Sequence, residues 1–232
     1  MAAAAATIAW RRAPTTLLPL LLLLPPLLLL LSSTLPRFCG GRARPQLRRP
    51  ELLTASVPAS QADGEPAISV SRRGQTTHVA ASVTVASSSR RLWGVVRACL
   101  NGESVGVLRD VKHAEVIDRP SPGVCTLAQR VTWRAGVLHG ENRMCARVHT
   151  NDAARSLTFV QLSDDPILRT YAGQLSVHGT GAETCVLHMH QQAEGQRSVI
   201  AHVAGATVLG STLRAQTRAM LQDFKRAAEA AR

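Results

Sequence analysis

The chain has 232 residues, 45% of them hydrophobic and only 3% aromatic, so it can form one ordinary domain with a core built mainly from Ala, Val and Leu. The formal net charge is +12, but residues 1–50 hold seven arginines and no acidic residue, which leaves only +5 on the rest of the chain. Those remaining arginines are scattered and form no basic stripe interleaved with aromatic residues, so the composition argues against a nucleic-acid partner.

The N-terminal segment 1–50 is predicted to be a leader rather than part of the domain. Arg11 and Arg12 precede a leucine- and proline-rich run at residues 17–31, which is too short and too rich in proline to span a bilayer as a helix. The run suits the apolar region of a signal peptide, and the arginine-rich stretch behind it has the composition of a transit peptide. Together they resemble the two-part leader of plastid proteins in algae with secondary plastids, with Phe38 where signal cleavage often occurs. We therefore expect a plastid protein; the alternatives are the secretory pathway and a retained membrane anchor.

Residues 51–74 are predicted to be a linker. They are rich in Ala, Ser, Pro and Gly and lack sustained periodicity. The ligand-binding domain is therefore expected to span residues 75–231.

The domain is predicted to open with a strand and a helix, followed by a run of about six strands. Thr77 to Ala86 alternates apolar and polar side chains, as a half-buried strand does. Ser87, Ser88 or Ser89 can cap the helix, and Asn101-Gly102 ends it, with a second short helix or a loop behind it. The later strands are predicted at residues 111–118, 124–135, 142–150, 156–163, 171–178 and 183–191. The Gly, Asn, Asp and Pro residues between them favour antiparallel hairpins.

A long amphipathic helix is predicted to close the chain, from Thr207 to Ala231. Apolar residues recur there at steps of three, four and seven, namely Leu209, Leu213, Met220, Phe224, Ala227 and Ala231. A helix with one apolar stripe must bury it against another element, and the preceding strands supply a sheet. The order predicts an α+β fold in which a curved antiparallel sheet packs on this helix.

Two stretches and the closing helix resemble the START-like, or helix-grip, superfamily, which includes the coenzyme Q-binding START-domain proteins and the polyketide cyclase and lipid-transport group. VTVASSSRRLWGVV, from Val83, is similar to the first strand, polar turn and helix of that family. LTFVQLSDDPILRTYAGQLSVHGTGAETCVLHMH, from Leu157, is similar to its later strands, with a central Gly and a Gly-rich turn. The resemblance implies six or seven strands wrapped around the long C-terminal helix. Two departures, NGESVGVL after the first helix and a missing Trp in the penultimate strand, touch the expected cavity and bear on the ligand's identity.

The resemblance also implies a hollow between sheet and helix that holds one apolar molecule. Alternating strand positions and two helix positions are expected to line it: Leu127, Gln129, Val131, Trp133, Met144, Phe159, Tyr171, Leu175, Leu187, Met189, Leu213 and Met220. Tyr171 and Gln129 could supply orienting hydrogen bonds. The alternative is that the same residues form a solid core.

No catalytic residue, metal site or cofactor is predicted. His188 and His190 point the same way on one strand, but no carboxylate or cysteine is placed to complete a metal site, so exposed histidines are expected there. No G-x-S-x-G frame places a serine nucleophile, and the Gly-rich stretch 179–183 lies between strands rather than before a helix, where a phosphate loop would lie.

The five cysteines do not form a disulfide scaffold. Their number is odd and no C-x-x-C pair occurs among Cys39, Cys99, Cys125, Cys145 and Cys185. Those within strands are expected to act as small buried hydrophobic residues, which favours a reducing compartment.

The sequence therefore favours a carrier or chaperone for an apolar small molecule such as a lipid, an isoprenoid quinone or a pigment. A polyketide cyclase- or dehydratase-like enzyme in the same fold is one alternative. A membrane-associated assembly factor is the other, because four arginines share the expected outer face of two neighbouring strands and suit phospholipid headgroups: Arg130, Arg134, Arg143 and Arg147. A peripheral membrane contact is accordingly a possible second interaction, although a solvated outer face is the simpler interpretation.

Overall fold

The computed structural model describes residues 64–103, 105–135, 138–163, 168–195 and 199–230. The predicted leader and the first part of the predicted linker lie outside this range. Ten regular elements follow one another: β1 Ala67–Arg73, β2 Thr76–Val85, α1 Ser89–Ala98, β3 Val111–Ser121, β4 Val124–Ala135, β5 Leu138–Asn151, β6 Ser156–Gln161, β7 Leu168–Gly179, β8 Cys185–Gly195 and α2 Val199–Ala230. Among the described residues, no helix is long and apolar enough to cross a membrane.

The eight strands form one antiparallel sheet in the order β1-β2-β8-β7-β6-β5-β4-β3. Every sequential pair from β3 to β8 is an antiparallel hairpin, as the turn residues predicted. The first strand of the predicted domain, β2, pairs with the last strand, β8, so the two ends of the predicted strand sequence are neighbours in the sheet.

The sheet has one strand more than expected, because β1 lies in the segment predicted to be a linker. Ile68 and Val70 alternate with polar residues there and pair with Ala81 and Val79 of β2. The alternation covers only a few residues beside an Ala-, Ser- and Pro-rich stretch, so it was too short to distinguish from loop. The sheet therefore begins before Gln75.

Helix α1 begins and ends where the sequence indicates. The Ser88 hydroxyl accepts a hydrogen bond from the Arg91 amide at 3.4 Å, which caps the first turn. A π-helical turn, Cys99–Glu103, follows α1, and Gly102 with φ of 95° ends it. Trp93 is buried, and its indole Nε1 donates to Asp152 Oδ1 at 2.9 Å, so α1 is tied to the turn between β5 and β6.

Helix α2 begins eight residues before the predicted start, at Val199. Residues 199–206 contain no Asp, Glu, Lys or Arg, so the amphipathic pattern that marks the later turns is absent from them. In the later turns, the buried positions are Gly210, Leu213, Thr217, Leu221, Asp223, Phe224 and Ala228.

A buried carboxylate joins α2 to the segment 105–110, which precedes β3 and was predicted to be a short helix or a loop. The segment is non-helical, and Val107 and Leu108 pack against the core. Asp223 is only 2% exposed and accepts from the Arg109 amide at 2.9 Å, while the Arg109 guanidinium lies 2.8 Å from its Oδ1. The segment is therefore held at the helix by main-chain and side-chain bonds together.

The strand cysteines lie where the pattern places them. Cys99, Cys125, Cys145 and Cys185 are buried and form no disulfide within the part of the chain that the structure describes, while Cys39 lies outside it. Burial raises the pKa of the Cys99 thiol to about 12, with Glu103 adding to the shift. Burial therefore favours neutral thiols that act as packing groups near pH 7.

The outer face of the sheet carries histidines that are more enclosed than predicted. His188 and His190 are partly buried, and the His188 ring lies 5.2 Å from that of His178. Burial lowers the pKa of His188, and the neighbouring His178 and His190 lower it further; burial also lowers the pKa of His190. No group of three side chains suited to a metal ion occurs among the residues with a described placement.

We expect acidification to destabilise the fold through these histidines. Their pKa is lower in the folded than in the unfolded state, so the neutral forms contribute full stability above about pH 6.5, and that stability is lost as the pH falls through the lowered value. Urea unfolding at about pH 7.5 and about pH 5.5 should show a smaller pH effect in a His188→Gln, His190→Gln double variant than in the wild type. The exposed His149 is the matched control, and an equal flattening in His149→Gln would refute this origin of the pH dependence.

Candidate functional site

The strand register confirms the predicted inward faces. Gln129 lies opposite Met144 across β4 and β5, and Leu175 lies opposite Met189 across β7 and β8. Because directly paired residues of neighbouring strands point to the same side of a sheet, these positions share the face that carries the core. We call this the inner face, and it is the side on which α1 and α2 pack.

The twelve predicted lining residues fall into two groups by burial. Leu127, Leu175, Leu187, Met189 and Leu213 are fully packed in the core. Gln129, Val131, Met144, Phe159, Tyr171 and Met220 are only partly buried. Trp133 belongs to β4, but its side chain lies outside the described residues. The first group belongs to the packed core, and the second group leaves part of its side-chain surface uncovered.

The position of α2 explains why two members of the second group, Met144 and Phe159, are incompletely covered. The helix packs mainly against β2, and it also contacts β1, β4, β8 and α1. Within the described residues, β5 and β6 are not among the strands against which it packs closely. The inner face of the middle strands, where Met144 and Phe159 lie, therefore lacks close packing from the helix.

An aromatic pair lies on this part of the inner face. The rings of Phe159 and Tyr171 have centroids 5.2 Å apart and are tilted by 51°. Phe159 is paired with Gly173, and a Cβ at Gly173 would lie 2.5 Å from the Phe159 ring and 2.6 Å from the His190 carbonyl oxygen. The glycine therefore allows the Phe159 ring to lie flat on β7 beside the tyrosine.

A polar pair that the sequence did not indicate joins β8 to α2. Gln191 and Thr217 are both buried, and the Thr217 hydroxyl lies 3.3 Å from Gln191 Oε1 and 2.7 Å from the Leu213 carbonyl. The Gln191 amide Nε2 donates to the Met189 sulfur at 3.1 Å. A thioether is a weak acceptor, so this amide is a donor that a ligand carbonyl would satisfy better. The period-2 pattern of β8 places Gln191 on the inner face. That position alone does not predict a hydrogen bond with α2.

Gln161 supplies the complementary acceptor. It lies opposite Ala146 on the inner face and is 8% exposed. Its Nε2 donates to the Ser163 carbonyl at 2.8 Å, and its Oε1 is buried without a hydrogen-bond partner among the described residues. A buried carbonyl in that state costs free energy, which a ligand hydroxyl or amide would recover. Both polar residues predicted to orient a ligand, Gln129 and Tyr171, lie on the inner face. Two further polar residues on that face are Gln161 and Gln191.

The titratable groups on the inner face remain neutral near pH 7. Burial raises the pKa of Tyr171 above its usual value. Burial also raises the pKa of the Cys185 thiol, and Glu229 adds to that shift. Neither group is therefore prepared to act as a general base at neutral pH. The arrangement suits binding through shape and neutral hydrogen bonds.

The predicted arginine patch is on the outer face, as expected, and part of it is engaged. Arg130 lies opposite Arg143 across β4 and β5, and the Arg130 Nε is 3.6 Å from the Glu141 carboxylate. Arg147 donates to the Thr126 hydroxyl at 3.2 Å. The side chain of Arg134 lies outside the described residues.

Comparison with known proteins supports the fold. No protein-family model matches the chain, and no curated protein matches its sequence. Among solved structures, the Zhui aromatase/cyclase from Streptomyces sp. R1128 matches with a TM-score of 0.59 and 18% identity, over 66% of this chain and 94% of that one. A protein from Thermus thermophilus matches with a TM-score of 0.57 and 13% identity, over 66% and 98%. The di-domain ARO/CYC BexL from the BE-7585A biosynthetic pathway matches with a TM-score of 0.55 and 16% identity, over 67% of this chain and 50% of that one.

These similarities are too low in identity to define more than architecture. The chain has the START-like helix-grip fold, an α+β arrangement of an open antiparallel sheet and a long C-terminal helix. This confirms the fold class and the resemblance predicted from the sequence, with eight strands in place of six or seven.

Proposed function

We propose that this protein binds one apolar small molecule between the inner face of its sheet and α2, as a carrier or chaperone. The observation that supports this most directly is the incomplete burial of Met144 and Phe159 on strands that α2 does not pack closely against. Protein interiors are normally close-packed. Partly uncovered apolar side chains on the inner face are therefore a place where an apolar ligand can pack. Ligand pockets are typically lined in this way, by apolar and aromatic groups with few polar ones.

The polar groups narrow the class of ligand. Gln191 Nε2 can donate to a carbonyl, and Gln161 Oε1 can accept from a hydroxyl. Neither group carries charge, so the ligand's buried part is neutral. An isoprenoid quinone, a neutral lipid or a pigment with carbonyl and hydroxyl groups has this combination. We further propose that the protein resides in the plastid, as its two-part leader predicts.

A cyclase-like enzyme in the same hollow is the second candidate. The inner face presents a tyrosine beside two amides, which could hold a polar ketone chain in a folded conformation. The raised pKa of Tyr171 argues against this residue acting as a phenolate base at neutral pH. Binding without turnover is therefore the better-supported function.

Native mass spectrometry of the purified full chain, followed by denaturation, is the direct test. Release of a stoichiometric lipid, quinone or pigment would support the carrier. A consistently ligand-free protein that also fails to bind a decyl-substituted benzoquinone and a fatty acid would refute it. Turnover of an added polyketide-like ketone would instead favour the enzyme.

We expect Gln191→Leu to weaken binding of the released compound, or of the benzoquinone probe, by about tenfold, because one hydrogen bond contributes about 1 to 1.5 kcal/mol. Gln192→Leu is the matched control, since Gln192 is the same residue type on the opposite face, paired with His78 and Ala172. Fluorescence or calorimetric titration measures both. Equal affinities in the two variants would show that Gln191 does not contact the ligand.

A further inference from the structure

A cleft lies away from the aromatic pair, where the β3–β4 hairpin meets the end of α1 and the end of β5. Its volume is about 430 Å³, which is within the range of small-ligand sites. Arg97 comes from α1, Arg119 from β3 and Thr150 from β5. The two arginines are the only charged residues among those that line it, so the cleft has a positive lining.

Each arginine donates to a neutral side-chain oxygen, and Arg97 also lies near a carboxylate. The Arg97 guanidinium donates to the Thr150 hydroxyl at 3.1 Å, and the Arg119 guanidinium donates to the Asn101 side-chain oxygen at 2.8 Å. Arg97 Nε also lies 3.6 Å from Asp152, whose carboxylate accepts from the Trp93 indole. A guanidinium has five N–H donors, so each arginine keeps several of them for a ligand.

The rest of the cleft is rigid and partly apolar. Gly123, with φ of 75°, lies in the β3–β4 turn so close to β5 that a Cβ there would lie 2.9 Å from the Thr150 carbonyl oxygen. Pro120 and Pro122 flank this turn and restrict its backbone. Leu100 and Cys125 are buried at the cleft and offer it an apolar surface.

The two cations also act on the thiol beside them. Burial raises the pKa of Cys125, and Arg119 and Arg97 oppose that shift while Asp118 adds to it. The thiol therefore stays neutral and adds no negative charge to the cleft.

We propose that this cleft binds the phosphate group of a small phosphate monoester, with Arg97 and Arg119 donating to its oxygens and the apolar surface contacting the ester substituent. Arginine matches a phosphate because its planar fork presents two parallel N–H donors to two oxygens. The same phosphate chemistry occurs in a free metabolite and in a phospholipid headgroup. The site is separate from the apolar hollow and does not depend on the function proposed for it.

Calorimetric titration of the full chain with phenyl phosphate tests the proposal. We expect saturable binding that weakens at least tenfold in Arg97→Gln and in Arg119→Gln, in line with the loss of one charge-assisted contact. Arg130→Gln, on the outer face of the same sheet, is the matched control and should retain the wild-type affinity within about twofold. Absence of saturable binding in the wild type, or equal weakening in all three variants, would overturn the proposal.

A blocking variant covers the case in which an arginine variant fails to fold. Ser121→Trp places a large side chain at the exposed rim of the cleft and leaves both arginines in place. It should abolish phenyl phosphate binding while the thermal unfolding midpoint stays near that of the wild type. Retained binding in this variant would refute the site.

Vesicles distinguish the two sources of phosphate. Sedimentation with phosphatidylcholine vesicles that contain phosphatidate, reversed by phenyl phosphate and lost in Arg119→Gln, would assign the site to a lipid headgroup. Phenyl phosphate binding without vesicle binding would assign it to a free phosphate ester. Failure of both would overturn the proposal.

Discussion

Asp223→Ala is expected to destabilise the protein by about 3 kcal/mol, because hydrogen bonds to charged groups contribute about 1.5 to 3 kcal/mol each and this carboxylate takes part in several. It accepts from the Arg109 amide and guanidinium, and from Arg226 one turn further along α2 at 3.0 Å. Asp223 is 2% exposed whereas the Arg109 side chain is 47% exposed, so the freed guanidinium can be hydrated. The loss therefore comes from the missing bonds and the detached segment rather than from a stranded buried charge.

Glu141→Ala is the matched control for Asp223→Ala. Glu141 also faces an arginine, but that pair is 3.6 Å long and about half exposed on both sides. Exposed ion pairs contribute about 0 to 1 kcal/mol, so this variant should be close to the wild type in urea unfolding. Amide exchange adds a local readout, since residues 105–110 should exchange faster in Asp223→Ala alone. Similar unfolding free energies for the two variants, with unchanged exchange, would show that Asp223 does not hold the segment.

The burial of Asp223 and its contact with Arg109 could not be predicted from the sequence. Period-2 alternation placed the inner faces of β4 to β8 correctly, because a strand buried on one face repeats every second residue. On an amphipathic helix, charged residues are expected to face solvent. The sequence pattern therefore did not indicate that Asp223 is buried. Its partner Arg109 is 114 residues away in the chain. No local pattern reports such a pairing.

The candidate site was also predictable only in part from the sequence. The alternation identified its apolar positions, such as Met144 and Phe159, since hydrophobic periodicity is the strongest local signal. It could not separate the residues that are fully packed in the core from those that are only partly buried, because that depends on where α2 crosses the sheet. The polar pair of Gln191 and Thr217 was missed for the related reason that it forms only when β8 and α2 meet.

Gly173→Ala should be the most informative change on the inner face. The added Cβ would lie 2.5 Å from the Phe159 ring and 2.6 Å from the His190 carbonyl oxygen. The ring can rotate, but the carbonyl belongs to β8, which is paired with β7 along its length. Overpacking of this kind costs about 1 to 3 kcal/mol, and we expect the upper part of that range. Displacement of Phe159 should also weaken binding of the apolar ligand or the benzoquinone probe by at least tenfold.

Gly94→Ala provides a control with the same chemical change and the opposite expected sign. Gly94 is an exposed residue inside α1, and a Cβ there meets nothing within 4 Å. Replacing a glycine inside a helix should stabilise the protein by about 0.5 to 1 kcal/mol and leave ligand affinity unchanged. Urea unfolding measures both variants, and a Gly173→Ala, Phe159→Ala double variant shows how much of the loss comes from the ring. If Gly173→Ala is as stable as the wild type and binds equally well, the close approach of Phe159 to β7 does not shape the site.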